Sequence, residues 1–288
     1  MDRIKITDVR VNPGDSGFLI DDGKTAILYD TGFGFTGFAM AEKIKQVLGD
    51  RRLDYIFLTH SHYDHALGSA YILRHYSDAK VVAGRYAAEI FKRQGAIAVM
   101  QDLDRKCAQR CGVEYGEFLG NELRVDITAD DGDIIEAGDM CFRVLYLPGH
   151  TRCSIGYYCE EHALMLSSET IGVYDGEKLI VPSFLVSYND SLRSIDKVLS
   201  LKIENLLAPH LGLLSKEQTM FFLSSCKQSA KSAAGSIADM IKSGTNDNDI
   251  IREFKNTYWR GYIKDIYPED AIDLNTSIMI TLIRKELA

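Results

Sequence analysis

Thr59-His60-Ser61-His62-Tyr63-Asp64-His65 crowds three imidazoles and a carboxylate into one short run. It follows directly on the apolar stretch Leu53-Asp-Tyr-Ile-Phe-Leu58, which reads as a strand. A chain that gathers so many ligand-type groups at one strand end must carry them on a loop braced by a rigid scaffold. Two further histidines stand in the same relation to apolar runs. His150 comes after Cys141–Leu147 and Pro148-Gly149, and His210 after Leu206–Ala208 and Pro209. His60 and His62, alternate residues of an extended turn, can point the same way, while Asp64 and His65 can turn to a neighbouring position. Nitrogen and carboxylate donors grouped like this suit two adjacent divalent metal ions, zinc first, with iron or manganese as alternatives.

The rest of the chain reads as a scaffold for those loops. Strands are predicted at Asp8–Val11, Gly17–Ile20 and Thr25–Tyr29, the last ending at Asp30-Thr31-Gly32. A helix is predicted over about 37–48, with Ala39, Ile44, Val47 and Leu48 on its apolar face. Ala70–His75 reads as a helix and Lys80–Ala83 as a strand. Residues 85–120 read as irregular helix, a lid or wall beside a site. A second strand-rich stretch begins near Leu123, with Cys141–Leu147, Ser154–Tyr158, Ala163–Leu166 and Leu206–Ala208 as its strands. From Lys216 the pattern turns helical, and Leu223, Cys226, Ala230, Ala233, Ile237 and Met240 recur at three- and four-residue steps. Asp247 or Asn248 is placed to cap a helix through Phe254. Pro268 is placed to open the last helix, with Glu269 and Asp270 in its first turn. The expected division is a main domain over 1–214 and a helical extension over 215–288 that packs on it or caps it.

Four pieces occur in order over roughly residues 17–212: Asp30-Thr-Gly, His60-Ser-His-Tyr-Asp-His65, Pro148-Gly-His-Thr151 and Pro209-His-Leu-Gly212. In them the chain resembles the metallo-β-lactamase-fold hydrolase superfamily. The resemblance implies an α/β fold, an αββα sandwich of two mixed sheets with helices outside, here with appended C-terminal helices. It also implies roles. His60, His62 and His150 would hold the first metal, and Asp64, His65 and His210 the second. Asp30 would orient a ligand or water by hydrogen bonding. One position departs from the family's pattern. Where a metal-bridging aspartate is expected as Gly-Asp-Thr, this chain has Ser167-Ser168-Glu169-Thr170. Glu169, one methylene longer, is left with two readings: it bridges both metals, or it binds one. The appended helices and Tyr63 look closest to the glyoxalase-II-like and quinolone-signal-type thioesterases.

Composition narrows the function further. Lys+Arg 33 against Asp+Glu 41 gives a formal charge of −8, which disfavours nucleic acid as a partner because that affinity comes from neutralising phosphates. No run is apolar for long enough to span a membrane. The opening run Met1–Ile6 is alternating and charged, unlike a secretory leader, so a cytoplasmic location is expected. Reduced thiols are then the default for the six cysteines, with Cys107 and Cys111 read as small apolar residues of a packed helix.

The expected activity is hydrolysis of a small-molecule ester or thioester, with a metal-bridging hydroxide as nucleophile and Asp64 orienting it or taking its proton. A small phosphodiester hydrolase is the enzymatic alternative. Oxygen chemistry at a single iron is disfavoured by the full second set of ligands. A metal-stabilised binding or regulatory protein is the non-catalytic alternative. Tyr63, Thr151, Arg152 and Tyr188 are placed to line a substrate side, but none is assigned to it. A homodimer is left open.

Overall fold

A computed structural model describes residues 4–287; Met1–Arg3 of the opening run and Ala288 lie outside the described residues. The chain forms two compact units. One comprises the chain up to Tyr146 with Ile155–His162, the other Leu147–Ser154 and the chain from Ala163 onward. The 214/215 junction expected from the sequence falls inside the second unit.

In the first unit, six strands form one sheet in sequence order. They are β1 (Lys5–Asp8), β2 (Phe18–Asp21), β3 (Ala26–Tyr29), β4 (Tyr55–Phe57), β5 (Lys80–Gly84) and β6 (Ile127–Ala129). β1–β2 and β2–β3 pair antiparallel, and β3 to β6 run parallel. Parallel neighbours need crossover connections. α1 (Gly37–Leu48) supplies the first, α2 (Tyr63–Ala66) and α3 (Gly68–Ile72) the second, and α4 (Arg85–Ile90) and α5 (Gln94–Arg110) the third. Strands covered on both faces read as unbroken apolar runs, and all of Ala26–Tyr29 is buried. β7 (Ile134–Ala137), β8 (Met140–Tyr146) and β9 (Ile155–Cys159) make an antiparallel meander. Phe57 stacks on Tyr157 at 4.5 Å and meets Phe142 edge-on at 5.3 Å. Burying a ring of this size is worth roughly 1.5–3 kcal/mol, so this trio is a main tie within the unit.

The second unit contains β10 (Leu164–Leu166), β11 (Val173–Tyr174), β12 (Ile180–Val181), β13 (Asn205–Ala208) and β14 (Gly212–Leu213). Its helices are α6 (Tyr188–Leu199), α7 (Lys216–Lys242), α8 (Asp247–Tyr258), α9 (Ile263–Ile266) and α10 (Glu269–Glu286). β10 pairs parallel with β13, which turns back antiparallel into β14. α7 starts on a capping box: the Ser215 hydroxyl accepts from the Gln218 amide, and the Gln218 side chain accepts from the Ser215 amide. Its stripe of Cys226, Ala230, Ala233 and Ile237 is buried, and Ala233 and Ile237 share one core with Phe254, Tyr267, Met279 and Ile283. The Glu286 carboxylate, near the end of α10, accepts from the Asn189 amide in the first turn of α6, a favourable place for negative charge. The architecture is thus mixed α/β with helices appended toward the C-terminus, as the sequence predicted.

Some local expectations are corrected. The first strand is Lys5–Asp8, not Asp8–Val11. The amides of Val11 and Asn12 donate instead to the Asp15 carboxylate, at 3.0 and 2.8 Å, and so leave the ladder. On α1 the buried stripe is Gly37, Met40, Ala41, Ile44 and Leu48; Ala39 is exposed and Val47 half-buried. The second crossover begins at Tyr63 rather than Ala70. Asn246, not Asp247 or Asn248, caps α8, accepting from the Asp249 amide, and Pro268 stands just before α10 as its cap. α6 has no counterpart among the predicted elements, although Ser187 caps it by accepting from the Asp190 amide. Cys107 is buried and Cys111 exposed, so they do not share a packed face.

Packing at two glycines sets opposite expectations. A Cβ at Gly68 would lie 1.9 Å from the Thr31 carbonyl oxygen, whereas one at Gly235 in α7 would meet nothing within 4 Å. Gly68→Ala should lower the unfolding free energy by more than about 1 kcal/mol, and Gly235→Ala should raise it by about 0.5–1 kcal/mol, both read by thermal or denaturant melts. A second prediction concerns Asp104, whose buried carboxylate accepts from the Gly34 amide at 2.9 Å and is pushed up to about 6 by burial. A carboxyl raised in the folded state stabilises while protonated and loses that contribution as pH climbs from the ordinary carboxylate range through 6. Asp104's contribution should therefore fall by on the order of 2–3 kcal/mol between pH 4 and pH 7.5, read as the difference between the pH–stability profiles of wild type and Asp104→Asn.

Candidate metal centre

β3 and β4 are parallel neighbours, so the residues that follow them emerge side by side, the position where α/β sheets hold functional groups. Asp30 follows β3 with a left-handed φ of 53°, and Thr59-His60 follows β4. The Asp30 carboxylate is fully buried and gathers donors. It accepts from the Thr59 amide at 2.8 Å, from the Ser16 hydroxyl at 3.0 Å and from His65 Nδ1 at 2.7 Å. The Thr59 hydroxyl lies 3.0 Å from Asp30 Oδ2 and 2.9 Å from His60 Nδ1. Asp30 already serves as the acceptor for the Thr59 amide and the Ser16 hydroxyl, so the Thr59 hydroxyl donates to Asp30 and accepts from His60 Nδ1–H. One carboxylate thereby sets two rings: His65 directly, and His60 through Thr59. With the proton on Nδ1, each ring offers its lone pair at Nε2, the arrangement usual for metal-ligating histidine.

The same unit supplies the rest of the histidine run. His62 precedes α2, and its ring offers a nitrogen within 4.8 Å of one from His60. The Asp64 carboxylate lies 3.7 Å from His65 Nε2 and retains partial access to solvent. Thr31 holds the backbone beneath: its amide and hydroxyl both donate to the His65 carbonyl at 2.8 Å. α5 packs against α2, as a wall beside the ligands would. Tyr63 is taken up in that contact, its hydroxyl 4.0 Å from Cys107 Sγ, and burial pushes both groups above their ordinary pKa.

The second unit brings together His150, Glu169 and His210. His150 sits on a loop closed by the Leu147 amide donating to the Ser154 carbonyl, and the amides of Leu185 and Val186 donate to the Gly149 carbonyl. Gly149 has a φ of 134°, and a Cβ there would lie 2.6 Å from the Ser191 backbone nitrogen of α6, so only glycine fits. His150 Nδ1 donates to the Ser183 carbonyl at 2.9 Å, again turning Nε2 outward. His210 occupies the turn between β13 and β14 with a left-handed φ of 62°, its carbonyl accepting from the Tyr262 hydroxyl at 2.8 Å. Strain of this kind in a non-glycine residue persists where surrounding contacts hold it and is frequent at functional positions. Glu169 opens a short turn after β10 and is buried. Its Oε2 lies 2.8 Å from His150 Nε2 and its Oε1 3.3 Å from His210 Nε2, while the Tyr267 hydroxyl donates to Oε1. Where Nδ1 carries its proton to Ser183, His150 Nε2 and Glu169 Oε2 are two electron-pair donors facing each other. They fit a cation attracted to both.

Residues 11–210 match the Metallo-beta-lactamase superfamily, well over half of the chain. The chain belongs to that superfamily. Over 168 residues it is 28% identical to the acyl-coenzyme A thioesterase MBLAC2 of Gallus gallus, covering 56% of this chain and 57% of the relative. It is 26% identical over 121 residues to a hydroxyacylglutathione hydrolase of Francisella tularensis subsp. holarctica, covering 42% and 34%. The chain thus spans little more than half the length of MBLAC2 and about a third of the hydroxyacylglutathione hydrolase. Among solved structures, a metallo-beta-lactamase family protein of Thermus thermophilus covers 96% of this chain and 92% of its own, with a TM-score of 0.62 and 17% identity. An archaeal superfamily protein from Sulfolobus tokodaii covers 76% and 85%, with a TM-score of 0.57 and 20% identity. These likenesses establish the metallo-beta-lactamase fold. The family implies divalent metal, and the nitrogen and carboxylate donors of each unit fit it, with Nδ1 of His60, His65 and His150 engaged away from the ligand atom.

Residues outside the sequence prediction also shape the centre. Thr59 was adjacent to the motif and legible in principle as the hydroxyl between strand and ligand. Ser16, Ser183, Tyr262 and Tyr267 carried no local signal. Of the side chains considered for a substrate side, Thr151 is buried and bonds the Ser154 hydroxyl at 2.7 Å, and Tyr188 packs on Phe184 in the second core. Arg152 is exposed. No helix among the described residues is long and apolar enough to cross a membrane.

Thr59→Val keeps the shape of the residue and removes the hydroxyl that fixes His60. Metal affinity, measured by chelator competition, should fall about 10-fold or more. An unchanged affinity would remove Asp30 from control of His60.

Proposed function

We propose that the chain hydrolyses a small-molecule thioester or ester using two divalent metal ions, zinc by preference. His60, His62 and His150 hold one ion, Asp64, His65 and His210 the other, and Glu169 serves both. The observation that carries this reading is the common orientation of His60, His65 and His150. Each has Nδ1 engaged by a hydroxyl, a carboxylate or a carbonyl, which readies Nε2 for a cation. The names of the thioesterase and hydroxyacylglutathione hydrolase relatives support a thioester as substrate.

Divalent ions at such a site make hydroxide available near neutral pH and polarise an acyl carbonyl. The chain's own groups do the remainder. Asp64, the ligand carboxylate of the histidine run that keeps partial access to solvent, orients the attacking water and receives its proton. Asp30, fully buried, keeps His60 and His65 in one tautomer through the reaction, so neither ring spends free energy on reorientation. No serine or cysteine nucleophile is required. The formal charge of −8 favours a small substrate over nucleic acid.

Purified protein should contain two metal ions per chain and turn over at least one member of a panel of acyl-coenzyme A, acylglutathione, lactone and phosphodiester substrates. Chelation should abolish turnover and zinc restore it. Asp64→Asn should lower kcat by about 10²–10⁴, and Glu169→Ala should bring metal content toward one per chain. Turnover confined to phosphodiesters would redirect the assignment, and stoichiometric metal without any turnover would sink the enzyme reading in favour of a binding protein.

A further inference from the structure

Tyr267 lies near the C-terminal end of the chain, yet its hydroxyl donates to Glu169 Oε1, the carboxylate standing where the family's bridging aspartate is expected. This contact is built rather than incidental. Tyr267 precedes Pro268, which disfavours helical backbone in the residue before it, and Tyr267 is extended at φ −107°, ψ 116°. α9 therefore ends there. The Tyr267 amide donates to the Ile263 carbonyl at 2.9 Å, and its carbonyl accepts from Trp259 Nε1 at 2.8 Å. Its ring is buried in the core shared with Ile266, Phe254 and Ile280. Backbone, ring and hydroxyl are all held from different sides. The neighbouring Tyr262 holds the backbone of His210 by the same kind of bond.

A glutamate differs from an aspartate by one more rotatable bond as well as by reach, and fixing such a side chain costs rotamer entropy. A buried donor on one oxygen removes that freedom before any ion arrives. It also makes the two oxygens unequal: Oε1, sharing its charge with the phenol, faces His210, and Oε2 faces His150. We propose that Tyr267 is a positioning residue that holds the longer Glu169 carboxylate in its metal-binding orientation, so that the C-terminal extension governs metal retention. This rests on the two-metal reading above.

The test uses the full chain and reads metal, not turnover. Wild type, Tyr267→Phe, Glu169→Asp and the double variant are loaded with zinc, dialysed against a chelator and analysed for metal content and rate of loss. Metal-free melting temperatures are measured alongside. The expected result is that Tyr267→Phe loses one of two zinc ions at least about 10-fold faster than wild type while its metal-free melting temperature stays close to wild type. In the Glu169→Asp background, where the carboxylate is one methylene shorter and should fall short of the phenol, the same change should have little effect. Should Tyr267→Phe fail to fold, Trp259→Phe, which frees the Tyr267 carbonyl, should give a smaller loss of the same kind. Equal retention in wild type and Tyr267→Phe, or an equal loss with either residue at 169, would overturn the positioning role and leave the two-metal reading intact. Wild type that takes up no zinc would overturn that reading, and this inference with it.

Discussion

An imidazole offers a lone pair at Nε2 only while its proton is kept on Nδ1, and in water nothing keeps it there. The fold of the first unit reads as a solution to that problem. A carboxylate must be close to the rings, dry, and satisfied by enough donors to offset its burial. Asp30 meets all three conditions because β3 and β4 are parallel neighbours whose ends place it beside Thr59 and His60. The aromatic packing of Phe57 and Tyr157 and the tight seating of Gly68 on Thr31 hold those strand ends in register. The second unit solves the same problem with a backbone carbonyl at His150, a neutral acceptor that adds no charge next to Glu169.

The legible parts of this centre were those written locally. His60 through His65 announce themselves by density, and His150 and His210 by standing just beyond an apolar run and a proline. Asp30 followed from family pattern. What stayed hidden depends on residues far apart in sequence. Ser183 and Tyr267 reach their partners 33 and 98 residues away, and neither serine nor tyrosine carries a spacing that signals such a partner. Even Tyr267-Pro268 speaks locally only of where a helix stops. The same holds for the scaffold. Long apolar runs and capping residues marked most strands and helices. Asp8–Val11 alternated like a strand but did not form one, because side-chain carboxylates of Asp8 and Asp15 took the Arg10 and Val11 amides. Periodicity reports what a segment can do alone, and a buried acceptor nearby can overrule it.

Glu169 illustrates how a departure from a family pattern can be absorbed. The extra methylene moves the carboxylate relative to its backbone, and the chain answers with a donor from a segment outside the matched region of residues 11–210. The appended helices therefore do more than cover apolar surface. Their core holds Tyr267, and Tyr267 holds a candidate ligand.

The place of that tyrosine in the chain has a consequence for biosynthesis. Synthesis runs from the N-terminus, so all seven candidate ligands leave the ribosome before Tyr267 does. A nascent or truncated chain ending ahead of it possesses every candidate ligand and still lacks the hydroxyl that donates to one of them. The hydroxyl that donates to Glu169 is thus the last of these groups to be synthesised. Metal captured earlier would meet a Glu169 still free to rotate.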